Sequence, residues 1–409
     1  MEVRKGFKQS EFSIIPEEWI ECRFEDVMTG FSSGQTPYRA VESYFRGDIP
    51  WITSGELNYN VITDTIEKIT IEGAREANLK MIPIGTFLFA ITGLEAAGTR
   101  GSCAITGIEA TTNQSCMALY PNKNVLITPY LYHYYIRYGN ELAFRYCQGT
   151  KQQSYTGGIV KKLPIIVPDT IEEQTAIATA LSDVDALITS LEKLIEKKRA
   201  IKQGAMQELL KPKEGWETKT LGEIGECVIG LTYRPDNVKE SGLLVMRSSN
   251  IQNNALSFEN NVFVDVEVSE KLTLKENDIL ICVRNGSRDL IGKCALIKGP
   301  AVGETFGAFM SVFRSPFNEF VFNLFQSNII KRQIDEYLGA TINQITNKSL
   351  NSFEIPFPPI ETQTRIATIL SDMDAEITTL EQKLAKYKQI KQGMMQELLT
   401  GRIRLIGST

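Results

Sequence analysis

The stretch from Ile171 to Leu210 reads IEEQTAIATALSDVDALITSLEKLIEKKRAIKQGAMQELL, and it recurs from Ile360 to Leu399 as IETQTRIATILSDMDAEITTLEQKLAKYKQIKQGMMQELL. The two copies lie 189 residues apart without a gap, and about two-thirds of their positions are identical. Self-similarity at a fixed offset indicates an architecture built from matching units. We therefore predict two similar halves, each ending in the same segment.

Both copies carry the pattern of a long amphipathic helix, because their hydrophobic residues recur three and four positions apart. At 1.5 Å per residue, about 35 helical residues extend ~50 Å. Such a helix needs a partner for its apolar face, and we predict that the two copies pair antiparallel as a coiled coil. Two unrelated core helices would have no reason to match in sequence. The residues predicted to form the pairing face are Ile177, Leu181, Val184, Ile188, Leu191, Ile195, Ile366, Leu370, Met373, Ile377, Leu380 and Leu384.

The composition is that of a folded protein with room for two or three domains, since 43% of the 409 residues are hydrophobic and 23% are charged. The N-terminal residues MEVRKGFKQSEF lack the apolar core of a signal peptide, and the seven cysteines are scattered without a CxxC pair. These features predict a cytoplasmic protein with reduced thiols. The net charge of −5 argues against binding nucleic acid by bulk charge. A local basic face, or a more basic partner, remains compatible with it.

The regions before the two long helices follow one plan. Each contains short β-favouring runs broken by turn residues, then one helix, predicted from Thr128 to Tyr146 with Thr128 as N-cap and from Asn318 to Leu338. We predict a mixed α/β (α+β) fold with an internal pseudo-two-fold repeat. Two domains with small β-sheets and helices are separated by the two long antiparallel coiled-coil helices. The predicted boundaries are domains 1–164 and 211–355, a central helix segment 165–210, and a C-terminal helix segment with tail 356–409.

Catalytic motifs are scarce in this sequence. The only histidine, His133, lies in an aromatic helical run and is interpreted as a core or rim residue rather than a general base. No GxSxG, Walker GxxxxGK[ST] or HExxH motif occurs. The glycines Gly222, Gly225 and Gly230 lack the spacing of a dinucleotide or methyl-donor site and are interpreted as turn glycines. The chain is predicted to be non-catalytic, with no metal and no cofactor of its own.

Polar loops at matching places in both halves are the better candidates for function. They contain the side chains that read base edges, arginine for guanine and asparagine or glutamine for adenine. Each residue alone could be an ordinary solvated loop residue, but their clustering in both halves favours DNA binding. The candidate DNA-binding residues are Ser33, Gln35, Ser54, Thr92, Arg100, Lys151, Gln152, Gln153, Tyr155, Arg247, Ser248, Asn250, Arg284, Asn285, Ser287, Arg288, Asn343 and Gln344.

The same stretches resemble the specificity (S) subunit of type I restriction–modification systems along essentially the whole chain. The motifs that carry the resemblance are IIVPDTIEEQ (165–174) followed by IATAL (177–181), and IPFPPIETQ (355–363) followed by IATIL (366–370). LLTGR (398–402) closes the second helix in the manner of the family, and FKQSEFSIIPEEW (7–19) resembles its opening. A proline followed by E-x-Q, doubled at matching positions, is specific to this family.

The resemblance implies a division of labour. The domains 1–164 and 211–355 would be target-recognition domains, each reading one half of a bipartite, asymmetric double-stranded DNA sequence. The conserved helices would set the distance between them and dock two modification (methyltransferase) subunits, which restriction subunits can join. Adenine methylation with S-adenosylmethionine would belong to those partners.

Two other interpretations and one architectural expectation accompany this one. A two-domain coiled-coil adaptor would bind protein partners without DNA, and a self-contained methyltransferase would bind S-adenosylmethionine itself. Because the terminal segments together resemble the 207–216 junction, we also predict that they are adjacent.

Overall fold

The computed structural model describes residues 5–95, 98–149, 153–338 and 344–405. The chain forms two compact units, Met1–Leu191 with Lys383–Thr409, and Glu192–Gln382. Each of the two long helices therefore contributes one part to each unit. Among the described residues, no helix has both the length and the apolar character needed to cross a bilayer. The four-part sequence division given above remains a prediction.

The first unit is built on a five-stranded and a three-stranded sheet. Its strands are β1 (Phe7–Gln9), β2 (Ile14–Pro16), β3 (Ile20–Arg23), β4 (Met28–Ser33), β5 (Ile49–Ile52), β6 (Asn60–Ile62), β7 (Glu67–Ile69), β8 (Phe87–Ala90), β9 (Cys103–Thr106), β10 (Thr111–Thr112), β11 (Cys116–Pro121) and β12 (Pro164–Val167). Its helices are α1 (Phe24–Val27), α2 (Ile71–Glu76), α3 (Thr128–Tyr146), α4 (Gly157–Lys161), the first part of α5 (Ile171–Leu209) and the last part of α10 (Ile360–Leu398), with 3-10 turns at Glu42–Phe45 and Ser54–Glu56.

The strand order in the larger sheet is β4-β11-β8-β9-β6, antiparallel except for the parallel pair β6–β9. In the smaller sheet β5 lies between β10, its parallel neighbour, and β7. Helix α3 contributes buried tyrosines to the core, and the ring of Tyr135 packs edge-on against those of Phe87 and Phe89. The predicted helix is confirmed, although its N-cap is Ile127 and Thr128 is already helical.

The second unit has two four-stranded sheets. Its strands are β13 (Glu217–Thr220), β14 (Glu226–Ile229), β15 (Val238–Lys239), β16 (Leu243–Met246), β17 (Ile251–Gln252), β18 (Ala255–Leu256), β19 (Phe263–Val264), β20 (Ile279–Cys282), β21 (Cys294–Leu296), β22 (Thr305–Phe306), β23 (Met310–Arg314) and β24 (Glu354–Phe357). Its helices are α6 (Leu221–Ile224), α7 (Asn318–Gln326), α8 (Asn328–Leu338), α9 (Asn347–Asn351), the second part of α5 and the first part of α10 (Ile360–Leu398), with 3-10 turns at Pro235–Asn237, Ser248–Asn250, Glu270–Leu272, Arg288–Leu290 and Gly299–Ala301.

The prediction of one helix from Asn318 to Leu338 is wrong, because the structure has two helices that meet at Ser327. Ser327 adopts an extended conformation (φ −91°, ψ 167°). Its hydroxyl donates to the carbonyl of Leu324 (2.7 Å) and accepts from the amide of Ile329 (3.2 Å). A serine that bonds nearby backbone groups in this way replaces helical hydrogen bonds and favours a cap over a helix interior.

The strand pairings confirm the duplicated plan. The order β14-β23-β20-β21 in the second unit repeats the order β4-β11-β8-β9 in the first. The parallel pair β16–β22 repeats β5–β10, and the pair β13–β24 repeats β3–β12. Equivalent positions can therefore be assigned from the strand registers. On this basis, β20 and the loop after it correspond to β8 and the loop after it.

Ion pairs show that α5 and α10 run antiparallel in both units. In the first unit Lys391 pairs with Asp185 at 2.6 Å, and in the second Lys202 pairs with Asp374 at 2.6 Å. Lys198 pairs with Glu376, also at 2.6 Å, so the partner's number rises as the residue number in α5 falls. Along the predicted apolar face, Ile188, Leu191, Ile195 and Ile377 are buried, whereas Val184, Met373, Leu380 and Leu384 are half-buried.

The ends of that apolar face join the domain cores. Ile177 and Leu181 lie in the core of the first unit with Met395 and Leu398, and Ile366 and Leu370 lie in that of the second with Leu210. These four residues therefore attach the helices to the sheets as well. Assignment of the complete set to the helix–helix seam stays a prediction.

The repeated glutamine at the start of each long helix has a structural role. Gln174 is buried, and its amide group donates to the carbonyls of Val125 (2.8 Å) and Pro168 (3.2 Å). The equivalent Gln363 is also buried and donates to the carbonyl of Pro358 at 2.8 Å. Buried carbonyls need such partners, so the proline and E-x-Q motif fixes how the chain enters the helix.

The two terminal segments of the described chain lie together in the first unit. Leu399 belongs to the same core cluster as Ile15 and Trp19. Arg404 forms ion pairs with Glu173 and Glu18, and Glu173 also accepts a hydrogen bond from the indole Nε1 of Trp19 (3.1 Å). The predicted adjacency of the terminal segments is confirmed by these contacts.

His133 is a core residue, as predicted from its aromatic surroundings. It is 1% exposed, its Nε2 lies 2.9 Å from the hydroxyl of Ser182 in α5, and its ring packs against that of Tyr132. Burial in this apolar setting lowers the pKa of His133 from 6.5 to about 4, because the charged imidazolium loses its hydration.

Acidification from pH 7 to pH 5 is expected to destabilise the first unit by about 2 kcal/mol through His133. In this window the unfolded chain, with a histidine pKa of 6.5, takes up a proton that the folded chain, with a pKa of about 4, does not. This stability is therefore complete above pH 6.5 and is lost as the pH falls towards 4. Urea unfolding at both pH values measures the loss. His133→Gln should flatten the slope between pH 6.5 and 5, because the chain has one histidine; an unchanged slope would assign it to other groups.

Candidate nucleic-acid interface

In the second unit, four separate chain segments meet around an open cavity of about 560 Å³. They are the loops after β14, β16 and β20 and the turn before β23. The cavity is lined by Leu231, Thr232, Tyr233, Arg247, Ser248, Ser249, Gly307, Ala308, Phe309 and Met310. The loop after β20 joins through Arg284, whose amide donates to the carbonyl of Phe309 (3.2 Å) and whose guanidinium lies 5.0 Å from the centre of the Phe309 ring.

Two glycines allow these segments to approach each other. A Cβ atom on Gly230 would lie 2.2 Å from the carbonyl oxygen of Gly307. In the first unit the equivalent Gly34 is tighter still, with a Cβ position 1.6 Å from the carbonyl oxygen of Thr112. A side chain at either position would clash with backbone, so only glycine fits. Gly230 is therefore required by a close approach of two backbone segments and not by a turn, which corrects its interpretation as a turn glycine.

One of the isolated β-bridges beside the cavity has a counterpart in the other unit. Arg284 pairs antiparallel with Gln344, and in the first unit Thr92 pairs antiparallel with Ser154. Thr92 follows β8 as Arg284 follows β20, so the two bridges occupy equivalent positions. Residues directly opposite each other in an antiparallel pair project their side chains from the same face, with Cβ atoms about 4.5–5.5 Å apart. Each bridge therefore presents two neighbouring side chains.

Several of the predicted DNA-binding residues of the second unit bond the protein itself. Asn250 is fully buried, accepts from the amide of Arg247 (3.0 Å) and donates to the carbonyl of Ser257 (3.0 Å). The amide group of Asn285 donates to the hydroxyl of Ser248 (3.2 Å) and its oxygen accepts from the amide of Ser287 (3.0 Å). These contacts shape the loops. Asn250 has no exposed surface through which to contact a base, so the interface proposed below omits it.

Two arginines nearby also donate to carbonyl oxygens. Arg247 donates to Asn260 at 2.9 Å, and Arg288 donates to Asp335 at 3.0 Å from the exposed 3-10 turn that follows the loop. Arg284 and Gln344 are exposed, as is Ser287.

At the equivalent surface of the first unit, the polar side chains bond mainly to other protein groups. The hydroxyl of Thr92 donates to that of Ser115 at 2.7 Å, and Ser115 occupies the position equivalent to Phe309. Arg100 donates to the carbonyl of Leu94 (3.0 Å) and to the side chain of Gln153 (3.1 Å), which ties both to the loop.

The remaining candidates of the first unit differ in exposure. Ser33 and Gln35 are exposed, and Ser54 is half-buried in a 3-10 turn. Tyr155 is 4% exposed and packs in the core against Phe89, so we also omit it from the proposed interface. Lys151, Gln152 and Asn343 lie outside the described residues.

Sequence reasoning missed the aromatic and hydroxyl groups that line the cavity, namely Tyr233, Thr232, Ser249 and Phe309. A signal for the first two was present, since Gly34-Gln35-Thr36-Pro37 and Gly230-Leu231-Thr232-Tyr233 share the pattern G-x-T at equivalent places. Phe309 left no such signal, because its counterpart is a serine.

The described residues offer no site for metal binding or nucleophilic chemistry. Within the described ranges, no cluster of three or more His, Cys, Asp or Glu side chains could hold a metal ion. The cysteines are unpaired thiols. Burial raises the pKa of Cys294 to about 12 and that of Cys227 to about 12, so both stay protonated and unreactive at neutral pH.

The fold and this surface define a tandem-domain protein, in which each of two units combines one version of the same loop framework with part of both long helices. The family model described as "Type I restriction modification DNA specificity domain" matches residues 16–203 and 213–392, so the chain belongs to this family and carries its domain twice.

Individual relatives agree with the family match. The chain is 28% identical over 433 residues to a putative type I restriction enzyme MjaX specificity subunit from Methanocaldococcus jannaschii, covering 98% of this chain and 97% of the relative. A crystal structure of the S subunit of a type I restriction–modification system from M. genitalium superposes with a TM-score of 0.62 at 15% identity, over 96% of this chain and 97% of that one. A chain from a study of complex assembly and conformational transition of the type I R-M system gives 0.58 at 17% identity, over 95% and 99%. At these identities the two structures support the fold.

Proposed function

We propose that this chain is the DNA-recognition subunit of a type I restriction–modification complex, and that each unit reads one half of a bipartite, asymmetric target in double-stranded DNA. The observation that carries the proposal is the loop framework repeated in both units with different side chains on it. Arg284 and Gln344 stand where the first unit has Thr92 and Ser154. The same loop framework with different side chains in each unit suits a target whose two halves differ in sequence.

The long helices are proposed to dock two modification (methyltransferase) subunits. A single exposed apolar residue is ordinary, but one repeated at the equivalent position of both long helices is a candidate contact for a partner that binds both copies alike. Ile201 is 47% exposed in the second unit, and Ile390, at the equivalent position of the other copy, is 39% exposed in the first. An exposed isoleucine at the equivalent position of both copies supports two equivalent docking sites. In this proposal adenine methylation is carried out by those partners with S-adenosylmethionine, and this chain contributes recognition alone; restriction subunits can join the assembly.

The direct test is to express the chain with its cognate modification subunit and to map methylated adenines across the host DNA. We expect one motif made of two specified halves with an unspecified gap between them. A contiguous motif would contradict reading by two separate units. A stable complex that methylates nothing would favour an adaptor that binds proteins without DNA.

A further inference from the structure

We propose that the half-site read by the second unit contains a G·C pair beside an A·T pair, recognised by Arg284 and Gln344 respectively. The inference rests on the proposed function and goes beyond it, because it assigns base identities to two side chains of one bridge. The first unit, with Thr92 and Ser154 at the same place, then reads its half-site without a guanidinium at this position.

The guanidinium of Arg284 is available for a base. Within the described part of the chain, it donates no hydrogen bond to a protein acceptor, whereas those of Arg247, Arg288 and Arg100 each donate to a carbonyl. Arg284 is exposed beside the cavity. Bidentate donation from arginine to O6 and N7 is the commonest specific contact with guanine in the major groove.

The ring of Phe309 orients this arginine. The guanidinium lies 5.0 Å from the ring centre, and Phe309 is 57% exposed although it is a large apolar side chain. Stacking on an aromatic face fixes the plane of the guanidinium, so less rotamer freedom is lost when both donors engage one base edge. A lysine would keep the charge at this place but could not form the planar pair of donors. The serine equivalent to Phe309 in the first unit accompanies a threonine in place of the arginine.

The bridge also explains why two neighbouring base pairs are assigned. Gln344 lies directly opposite Arg284, and both side chains leave the same face of the pair. Their Cβ separation of about 4.5–5.5 Å exceeds the ~3.4 Å rise between base pairs by only about 1–2 Å, and both side chains are long enough to converge on adjacent steps. Glutamine matches N6 and N7 of adenine in the geometry by which arginine matches guanine.

The loop beneath the bridge is held by contacts that do not involve its reading groups. Asn285 is bonded to Ser248 and to the amide of Ser287, and the backbone of Arg284 is bonded to Phe309. Changing the side chain of Arg284 therefore leaves the loop's own hydrogen bonds in place. Arg284→Lys therefore removes the planar pair of guanidinium donors and retains the positive charge and the loop structure.

The test uses the complex of the full chain with its modification subunits, and reads both the methylated motif and the affinity for a library of duplexes at fixed salt. The wild-type complex should have a G·C pair next to an A·T pair in one half-site. Arg284→Lys should lower discrimination at that G·C pair about 10- to 100-fold, and Gln344→Ala should relax the neighbouring A·T pair to a similar extent. The other half-site should keep its sequence. Arg288→Lys is the matched control, and its motif should not change, since that guanidinium already donates to Asp335.

Three results would overturn the inference. One is an unchanged motif with Arg284→Lys. Another is equal relaxation of both half-sites. The third is uniform weakening across all sequences with Arg284→Ala, together with a fall of about one in the salt slope, which is the signature of a phosphate contact. A wild-type complex that methylates a split motif lacking this base-pair step would refute the inference while leaving the proposed function intact. A wild-type complex without sequence preference would refute both.

Discussion

Replacing Glu173 by alanine is expected to lower the free energy of unfolding of the first unit by about 2–4 kcal/mol. The carboxylate is 2% exposed, in the first turn of α5, and joins three parts of the chain. It accepts a hydrogen bond from the buried indole of Trp19 and forms an ion pair with Arg404 near the C-terminus. The substitution leaves the indole N–H without its acceptor, and it leaves the partly exposed guanidinium with only the more distant Glu18 as counter-charge. The lower part of the range reflects the 31% exposure of the Arg404 side chain, which water can partly solvate.

The repeat supplies the control for this prediction. Thr362 occupies the equivalent position of the second copy, and its replacement by alanine should cost less than about 0.5 kcal/mol, as for ordinary surface changes. Denaturant unfolding, followed by a probe placed in each unit, compares the two variants and resolves transitions that need not coincide. Arg404→Ala should reproduce part of the Glu173→Ala loss, and the two should not add in the double variant. Equal losses for Glu173→Ala and Thr362→Ala would mean that the position, and not the carboxylate, matters.

The long helices and the duplicated plan could be predicted from sequence because each depends on local pattern. Apolar spacing specifies a helix face over many residues, and a constant offset of 189 residues aligns the two copies without reference to structure. The break at Ser327 escaped prediction because the apolar pattern continues through it. One hydroxyl that bonds its own backbone outweighs that pattern locally.

The types of residue at the site could be predicted from the sequence, but the role of each side chain could not. Arg284, Asn285 and Asn250 have side chains of similar polarity in similar loops, so composition treats them alike. The structure separates them, since Asn250 is buried, Asn285 holds the loop and Arg284 is exposed on an aromatic ring. Whether a polar side chain bonds its own loop or a ligand depends on partners far away in sequence. The pairing of Arg284 with Gln344 is an example, because it joins two loop segments that only the folded unit brings together.

Lengthening both long helices by one heptad is expected to lengthen the spacer between the two recognised half-sites by about three base pairs. Modification at the original sites should be abolished. Seven residues add ~10 Å to a helix, and B-DNA rises 3.4 Å per base pair. Duplicating residues 185–191 in α5 and residues 385–391 in α10 keeps the apolar pattern of both helices. Asp185 lies opposite Lys391, so these two segments face each other within the first unit in the antiparallel register, and both helices are lengthened at the same level. Mapping methylated adenines in cells that express the variant with its modification subunit measures the new spacer.

The rotation of the duplex makes the test sharper. Seven residues return a helix face to within about 20° of its starting direction, whereas three base pairs turn the groove by roughly 100°. The one-heptad variant should therefore bind its longer target more weakly than the wild type binds its own.

Three heptads add ~32 Å, close to the ~34 Å of a full turn of B-DNA, and should restore affinity with a spacer longer by roughly nine to ten base pairs. A variant lengthened only in α5 should lose stability, because its seam no longer matches. If the base sequence of either half-site changed, or the spacer length stayed constant, the helices would not set the separation of the half-sites.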